Sequence, residues 1–232
     1  MAVFRDYFDI MRILMMNTAD LSAGQIDEMR QALPVSRRLT AKLPESVVAA
    51  WLTLGALYRG NCENTDDGLE IVKENHLPFT HEAVINAGLQ WEWTVGEHGK
   101  PFSSGVLCNG VQLYTSLSHS GGFAATAIDT VEIGLDIQVP THLSAEQMLR
   151  ISRRFHPNER EMLEQNMEQL SPTFYRLWAA KESVIKLDGR GLAVGLGSFF
   201  VESGNAQLPD GRTAAVTELE YNGVAVAAAH WK

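Results

Sequence analysis

Val131-Glu132-Ile133-Gly134-Leu135-Asp136-Ile137-Gln138-Val139 carries an apolar residue at every odd position. Strict alternation marks a strand with two unlike faces, so Glu132, Gly134, Asp136 and Gln138 share the second face. Asp136 and Gln138 then stand about 7 Å apart along the strand. Gly134 beside them leaves room for another group to approach closely. A solvated sheet face fits the same pattern. A second constellation runs from Phe174 to Leu187, with Pro172 before it and Gly189 after it, and reads as a helix. At about 100° per residue, Phe174, Leu177, Trp178, Val184 and Ile185 fall in one arc. Lys181 lands in the middle of that arc and Glu182 at its edge. A lysine there must snorkel out or meet an anion, because burying its charge unpaired is costly. Glu182 and Lys186 are spaced i,i+4, as in an ordinary surface ion pair, which leaves Lys181 unexplained.

Working outward, a strand is expected over 10–16, then a helix whose start is signalled by the capping box Ser22-x-x-Gln25 and whose end is set by Pro34. Helices are expected at 46–59, 66–75 and 80–87, and strands at 90–95, 111–117, 122–128 and, after a turn at Asp129-Thr130, 131–139. Helical patterns follow at 144–154, 157–169 and 173–187. Strands near 198–202, 214–221 and 224–231 end the chain, the last two joined by the hairpin signal Asn222-Gly223. The order strand, helices, about three strands occurs once before residue 130 and once after it. An α+β fold of two similar halves, 1–130 and 131–232, is the expected architecture.

Composition bounds the function. With 232 residues, 45% hydrophobic and 20% charged, the chain can bury a sizeable core, which excludes disorder and coiled coil. Its longest apolar run, Val47 to Tyr58, falls short of the roughly 20 residues needed to span a bilayer, so no membrane partner is expected. Arg5, Asp6 and Asp9 interrupt the first apolar stretch, against a secretory signal. Cys62 and Cys108 alone make no disulfide framework, and the cytoplasm is the expected location. The charge sum, 19 minus 28, is −9, against a nucleic-acid partner. Residues 30–59 nevertheless hold five bases against Glu45 and form a positive island.

A third cluster, Ser116-Leu117-Ser118-His119-Ser120-Gly121-Gly122, ends a strand in hydroxyls, an imidazole and glycines that can offer donors to a phosphate. It lacks the lysine and spacing of a P-loop and is no Gly-x-Ser-x-Gly elbow. Gly99-Lys100-Pro101 reads by itself as a turn.

Taken in order, Gly99-Lys100-Pro101, Ser118-His119-Ser120, Ile133-Gly134-Leu135-Asp136, Trp178-x-x-Lys181-Glu182-x-x-x-Lys186 and Gly189-Arg190-Gly191-Leu192 resemble the 4'-phosphopantetheinyl transferases. The likeness is to their larger, pseudo-dimeric branch, the type that activates surfactin synthetase and other carrier proteins. It covers roughly residues 97–203. Each piece is common, but five in the family's order are specific.

The resemblance implies two α+β halves related by pseudo-twofold symmetry. It also implies transfer of the phosphopantetheine arm of coenzyme A to a serine of an acyl or peptidyl carrier protein, with release of adenosine 3',5'-bisphosphate. Mg²⁺ would be held by Asp136 and Glu182, with Gln138 where the branch commonly has a third acid. A glutamine oxygen can ligate the ion but supplies no charge. Ser118, His119, Lys181 and Lys186 would hold the coenzyme A phosphates, Lys100 would reach the nucleotide end, and Lys186 would act with Glu182 at the reacting centre. Glu159, after His156-Pro157-Asn158, would be the general base; a first-turn acid complementing the helix dipole explains it equally well. Carrier proteins are acidic, so Arg150, Arg153, Arg154 and Arg160 are the expected docking residues of a monomer. Arg37, Arg38 and Lys42 lie near the place where the family binds the 3'-phosphate. Elementary chemistry agrees: attack on a pyrophosphate needs charge neutralisation and a base, and Mg²⁺ favours one or two carboxylates plus phosphate oxygens. Two alternatives remain: a metal-dependent nucleotide phosphohydrolase, and a non-catalytic protein that binds coenzyme A or a carrier.

Overall fold

The computed structural model describes residues 11–59, 68–90, 93–95, 101–103, 107–108 and 111–232. The fold is mixed α+β, and the chain divides into two compact units, Met1–Glu132 and Ile133–Lys232.

The first unit runs β1 (Arg12–Asn17), α1 (Ala23–Ala32), α2 (Val35–Thr40), α3 (Pro44–Arg59), β2 (Gly68–Val72), α4 (His81–Gln90), four short strands β3 (Trp93–Val95), β4 (Pro101–Ser103), β5 (Leu107–Cys108) and β6 (Val111–Gln112), then β7 (Tyr114–Ser120) and β8 (Phe123–Asp129). Its main sheet has the order β2-β1-β8-β7, parallel between β2 and β1 and antiparallel elsewhere. The capping box that opens α1 is present, with Gln25 Oε1 accepting from the Ser22 N–H at 2.8 Å. α3 is apolar and its Val47, Val48, Trp51, Leu52 and Leu54 share a core with Leu14 and Met16 of β1 and Ala124 of β8.

The short strands β4 and β5, the break between β6 and β7, the extension of α4 to Gln90 and a strand at Asn205–Gln207 lie outside expectation, and two larger departures have a clear cause. The helix expected over 66–75 is instead β2, which lies in register beside β1 from Arg12 opposite Gly68 to Met16 opposite Val72. A helical charge pattern there gives way to the free edge of β1, where Glu70 meets the buried Arg12 guanidinium at 2.5 Å. Pro34 ends α1 as expected but also caps the start of α2, a role suited to its fixed φ.

The second unit runs β9 (Ile133–Gln138), α5 (Ala145–Ser152), α6 (Pro157–Gln165), α7 (Leu170–Asp188), β10 (Val201–Glu202), β11 (Asn205–Gln207), β12 (Thr213–Tyr221) and β13 (Val224–Trp231). Its sheet, in the order β10-β11-β12-β13-β9, is antiparallel throughout. Asn222 and Gly223 take φ values of 49° and 79° and close the β12–β13 hairpin as their sequence demands.

α7 lies on the sheet face formed by β9 and β13. Small residues allow the approach: Ala225, Ala227 and Ala229 are buried in the core that α7 shares, and a Cβ at Gly134 would overlap the Ser183 carbonyl oxygen and the Leu187 amide nitrogen. The second face of β9 is therefore covered by a helix instead of solvent. Among the described residues, no helix is long and apolar enough to cross a membrane.

Candidate active site

The close contact at Gly134 puts α7 directly over the polar face of β9. Two residues further along β9, Asp136 is buried at 4% exposure, an expensive place for a carboxylate unless it is paired. It is paired on both oxygens. Lys186 Nζ donates to Oδ1 at 2.7 Å and Gln138 Nε2 donates to Oδ2 at 2.7 Å. Glu182, one turn before Lys186, is half-buried, and burial together with the charge of Asp136 lifts its carboxyl above the ordinary range. Lys186, a hydrogen bond from Trp178 and the charge of Arg154 oppose that rise.

Asp136, Gln138, Glu182 and Lys186 thus gather at one place. Two carboxylates that repel each other, with an amide beside them, are a hard-oxygen donor set that fits Mg²⁺. The role of Trp178 was not evident from its place in the apolar arc. Its i,i+4 spacing to Glu182 is the signal that could have exposed it.

Lys181 is fully buried, in keeping with its position in the apolar arc. Its anion comes from within the chain: Nζ lies 2.7 Å from Glu159 Oε2 and 2.9 Å from Oε1, and donates to the Phe199 carbonyl oxygen at 2.7 Å. The Phe199 ring lies 4.3 Å from the ammonium, close enough for a cation–π contribution. Burial lowers the lysine's pKa, and the charge and hydrogen bonds of Glu159 oppose the shift. Glu159 also accepts from the Val201 N–H at 2.9 Å and from the His156 N–H at 3.0 Å, closing a capping box at the start of α6. Two residues that the sequence assigns to separate tasks are therefore partners, joining α6, α7 and the approach to β10.

At its C-terminal end α7 is held by a second network. The Asp188 side chain is enclosed and accepts from Arg190 Nε at 2.6 Å and Nη2 at 2.9 Å, and from Arg212. Burial alone would raise the Asp188 carboxyl, but the arginine hydrogen bonds outweigh it and hold it below its ordinary value. Arg212 lies over the Trp231 ring at 4.2 Å, so the network ties the helix end to β13.

In the first unit, Ser118 is buried and His119 exposed near the end of β7. His119 Nε2 lies 3.2 Å from Ser46 Oγ in the first turn of α3, a pairing across 73 positions that no local motif announces. Arg38 and Lys42 are exposed and Arg37 half-buried. Arg150, Arg153 and Arg154 are exposed at the end of α5, with Arg160 half-buried on α6. Lys100 lies outside the described residues.

Comparison with known proteins bears on the second unit most directly. Residues 132–229 match the family model described as the 4'-phosphopantetheinyl transferase superfamily. The chain is similar to a 4'-phosphopantetheinyl transferase of Bacillus subtilis, 35% identical over 148 residues, 59% of this chain and 62% of that protein. It is also similar to the 4'-phosphopantetheinyl transferase psf-1 of Bacillus pumilus, 34% identical over 128 residues, 52% of each chain. The 4'-phosphopantetheinyl transferase Sfp of Bacillus subtilis strain 168 is 34% identical over 107 residues, 45% of this chain and 44% of that one. The chain spans less than two thirds of the length of each of these relatives.

Proposed function

From the match of residues 132–229 to the 4'-phosphopantetheinyl transferase superfamily, we propose that the protein transfers the 4'-phosphopantetheine arm of coenzyme A to a serine of an apo carrier protein and releases adenosine 3',5'-bisphosphate. The observation that carries this reading is the joint placement of Asp136, Lys186 and Glu182 where α7 meets β9 at Gly134. A buried carboxylate, a second carboxylate with a raised pKa and a lysine are what a pyrophosphate with its counter-ion requires.

Asp136 and Glu182 would hold Mg²⁺, with the Gln138 oxygen as a neutral further donor; when bound, the ion neutralises and orients the pyrophosphate. Lys186 can donate to a phosphate oxygen while Asp136 orients its ammonium. Ser118 and His119 keep the role of phosphate ligands that the resemblance implies, with Ser46 fixing the imidazole.

The base role that the resemblance gives Glu159 would have to be exercised from an ion pair. Both its oxygens are already engaged by the protein itself, through Lys181 and the Val201 and His156 N–H groups. We therefore assign Glu159 and Lys181 to positioning the helix that presents Glu182 and Lys186. The exposed Arg150, Arg153 and Arg154 suit an acidic carrier, whose approach they would steer.

Intact mass spectrometry of an apo carrier protein incubated with coenzyme A and Mg²⁺ tests the reading. A phosphopantetheine mass gain on the carrier, with adenosine 3',5'-bisphosphate released, is expected. Release of the arm without a gain on protein would point to a phosphohydrolase. Binding without either product would point to a non-catalytic role.

A further inference from the structure

The side chain beside the two carboxylates is an amide, and its hydrogen bonding is specific. Gln138 Nε2 lies 2.7 Å from Asp136 Oδ2, and an ionised carboxylate only accepts, so the amide presents its N–H there and not its oxygen. Lys186 holds the other oxygen at the same distance. Asp136 is thus satisfied on both sides by the protein itself. Among the described residues, Gln138 Oε1 has no hydrogen-bond partner. The amide can keep its N–H on Asp136 and still turn a neutral oxygen to an incoming cation.

The charges of the cluster are two carboxylates, Asp136 and Glu182, against the Lys186 ammonium and the Arg154 guanidinium whose charge also reaches Glu182, which leaves at most a single net negative charge. Gln138 adds none. Among the described residues, no group of three or more His, Cys, Asp and Glu side chains is gathered as a metal site. Mg²⁺ gives up its water reluctantly and is ordinarily held by one or two carboxylates together with substrate phosphates. At most one net charge, with both oxygens of the buried carboxylate already engaged, competes weakly against that hydration shell.

From this arrangement, and resting on the transfer reading above, we propose that the protein takes up its divalent cation together with the pyrophosphate of coenzyme A and not before it, and that Gln138 sets this order of loading. The pyrophosphate brings the negative charge that the side chains lack. A glutamate at position 138 would bring it from the protein instead and let the cation enter alone. By linkage, whatever factor coenzyme A adds to cation affinity, the cation adds to coenzyme A affinity.

Isothermal titration calorimetry separates the possibilities without any turnover. Mg²⁺ is titrated into the protein alone and into the protein saturated with coenzyme A, for the natural chain and for Gln138→Glu, with circular dichroism confirming the fold of each. The natural chain should bind Mg²⁺ about tenfold or more tightly when coenzyme A is present. Gln138→Glu should bind Mg²⁺ alone about tenfold more tightly than the natural chain, with a smaller gain from coenzyme A. Equal Mg²⁺ affinity of the natural chain with and without coenzyme A overturns the loading order, even if coenzyme A binds and transfer proceeds. An unchanged Mg²⁺ affinity in a folded Gln138→Glu removes residue 138 from the control of that order. If the variant does not fold, the two titrations of the natural chain decide the order of loading. Failure of coenzyme A to bind at any Mg²⁺ concentration would overturn the transfer reading, and the inference with it.

Discussion

Lys181 and Glu159 bury opposite charges at 0% and 3% side-chain exposure, and their value lies in being together. Removing one partner of such a pair leaves an uncompensated buried charge and costs about 3–5 kcal/mol. Lys181→Met should therefore lower stability by that order in urea unfolding. Lys181→Met combined with Glu159→Gln should recover part of the loss, because it removes the buried negative charge as well and the glutamine oxygen still accepts from one of the Val201 and His156 N–H groups. Lys181→Met as stable as the natural chain would show that Glu159 is not held in this way.

Glu182 behaves oppositely. Its carboxyl is raised above the ordinary 4.5 by burial and by Asp136, so the unfolded chain gives up this proton more readily than the folded one. The group's contribution to stability is then most favourable at low pH and declines as pH rises through the window above 4.5. Glu182→Gln should raise the melting temperature of the metal-free protein at neutral pH, by about 2–4 °C for each kcal/mol relieved. It should also flatten that part of the pH profile. A lower melting temperature would place the carboxylate in a stabilising pair instead.

At the scale of elements, the contact between β9 and α7 rests on one missing side chain. Gly134→Ala would drive a Cβ into the α7 backbone at Ser183 and Leu187, which cannot move as a flexible side-chain tip can. The cost should be on the order of 3 kcal/mol or more, measurable by chemical denaturation. If the variant unfolds as the natural chain does, α7 does not lie this close.

This contact also marks how far the sequence could be read. Alternation along 131–139 and the arc of 174–187 identify the strand and the helix, and Gly134 announces a close approach without naming what approaches. Lys181 announces an anion in the same way, but Glu159 is 22 residues away and the backbone donors and acceptors at Phe199 and Val201 are set only by tertiary packing. Local signals with a stereochemical cause, Ser22-x-x-Gln25 and Asn222-Gly223, are present in the structure as written. The expected helix at 66–75 failed because the edge of β1 outweighs a weak helical pattern. α2 was missed because its six residues are too few for periodicity to register.

Over the whole molecule, a net charge of −9 requires that the proposed acidic carrier be met at a local exception. Exposed Arg150, Arg153 and Arg154, in the same unit as the matched residues, would provide one. The centre those arginines would serve is the one at which we propose that Asp136, with Glu182 and Lys186, carries phosphopantetheine transfer.

Intact-mass measurement of an apo carrier protein after incubation with coenzyme A, Mg²⁺ and either the natural chain or Asp136→Ala decides whether it does, with circular dichroism recorded on both proteins. A phosphopantetheine mass gain is expected with the natural chain and none with a folded Asp136→Ala. An equal gain with both proteins, or none with the natural chain across a range of acyl and peptidyl carriers, would contradict it.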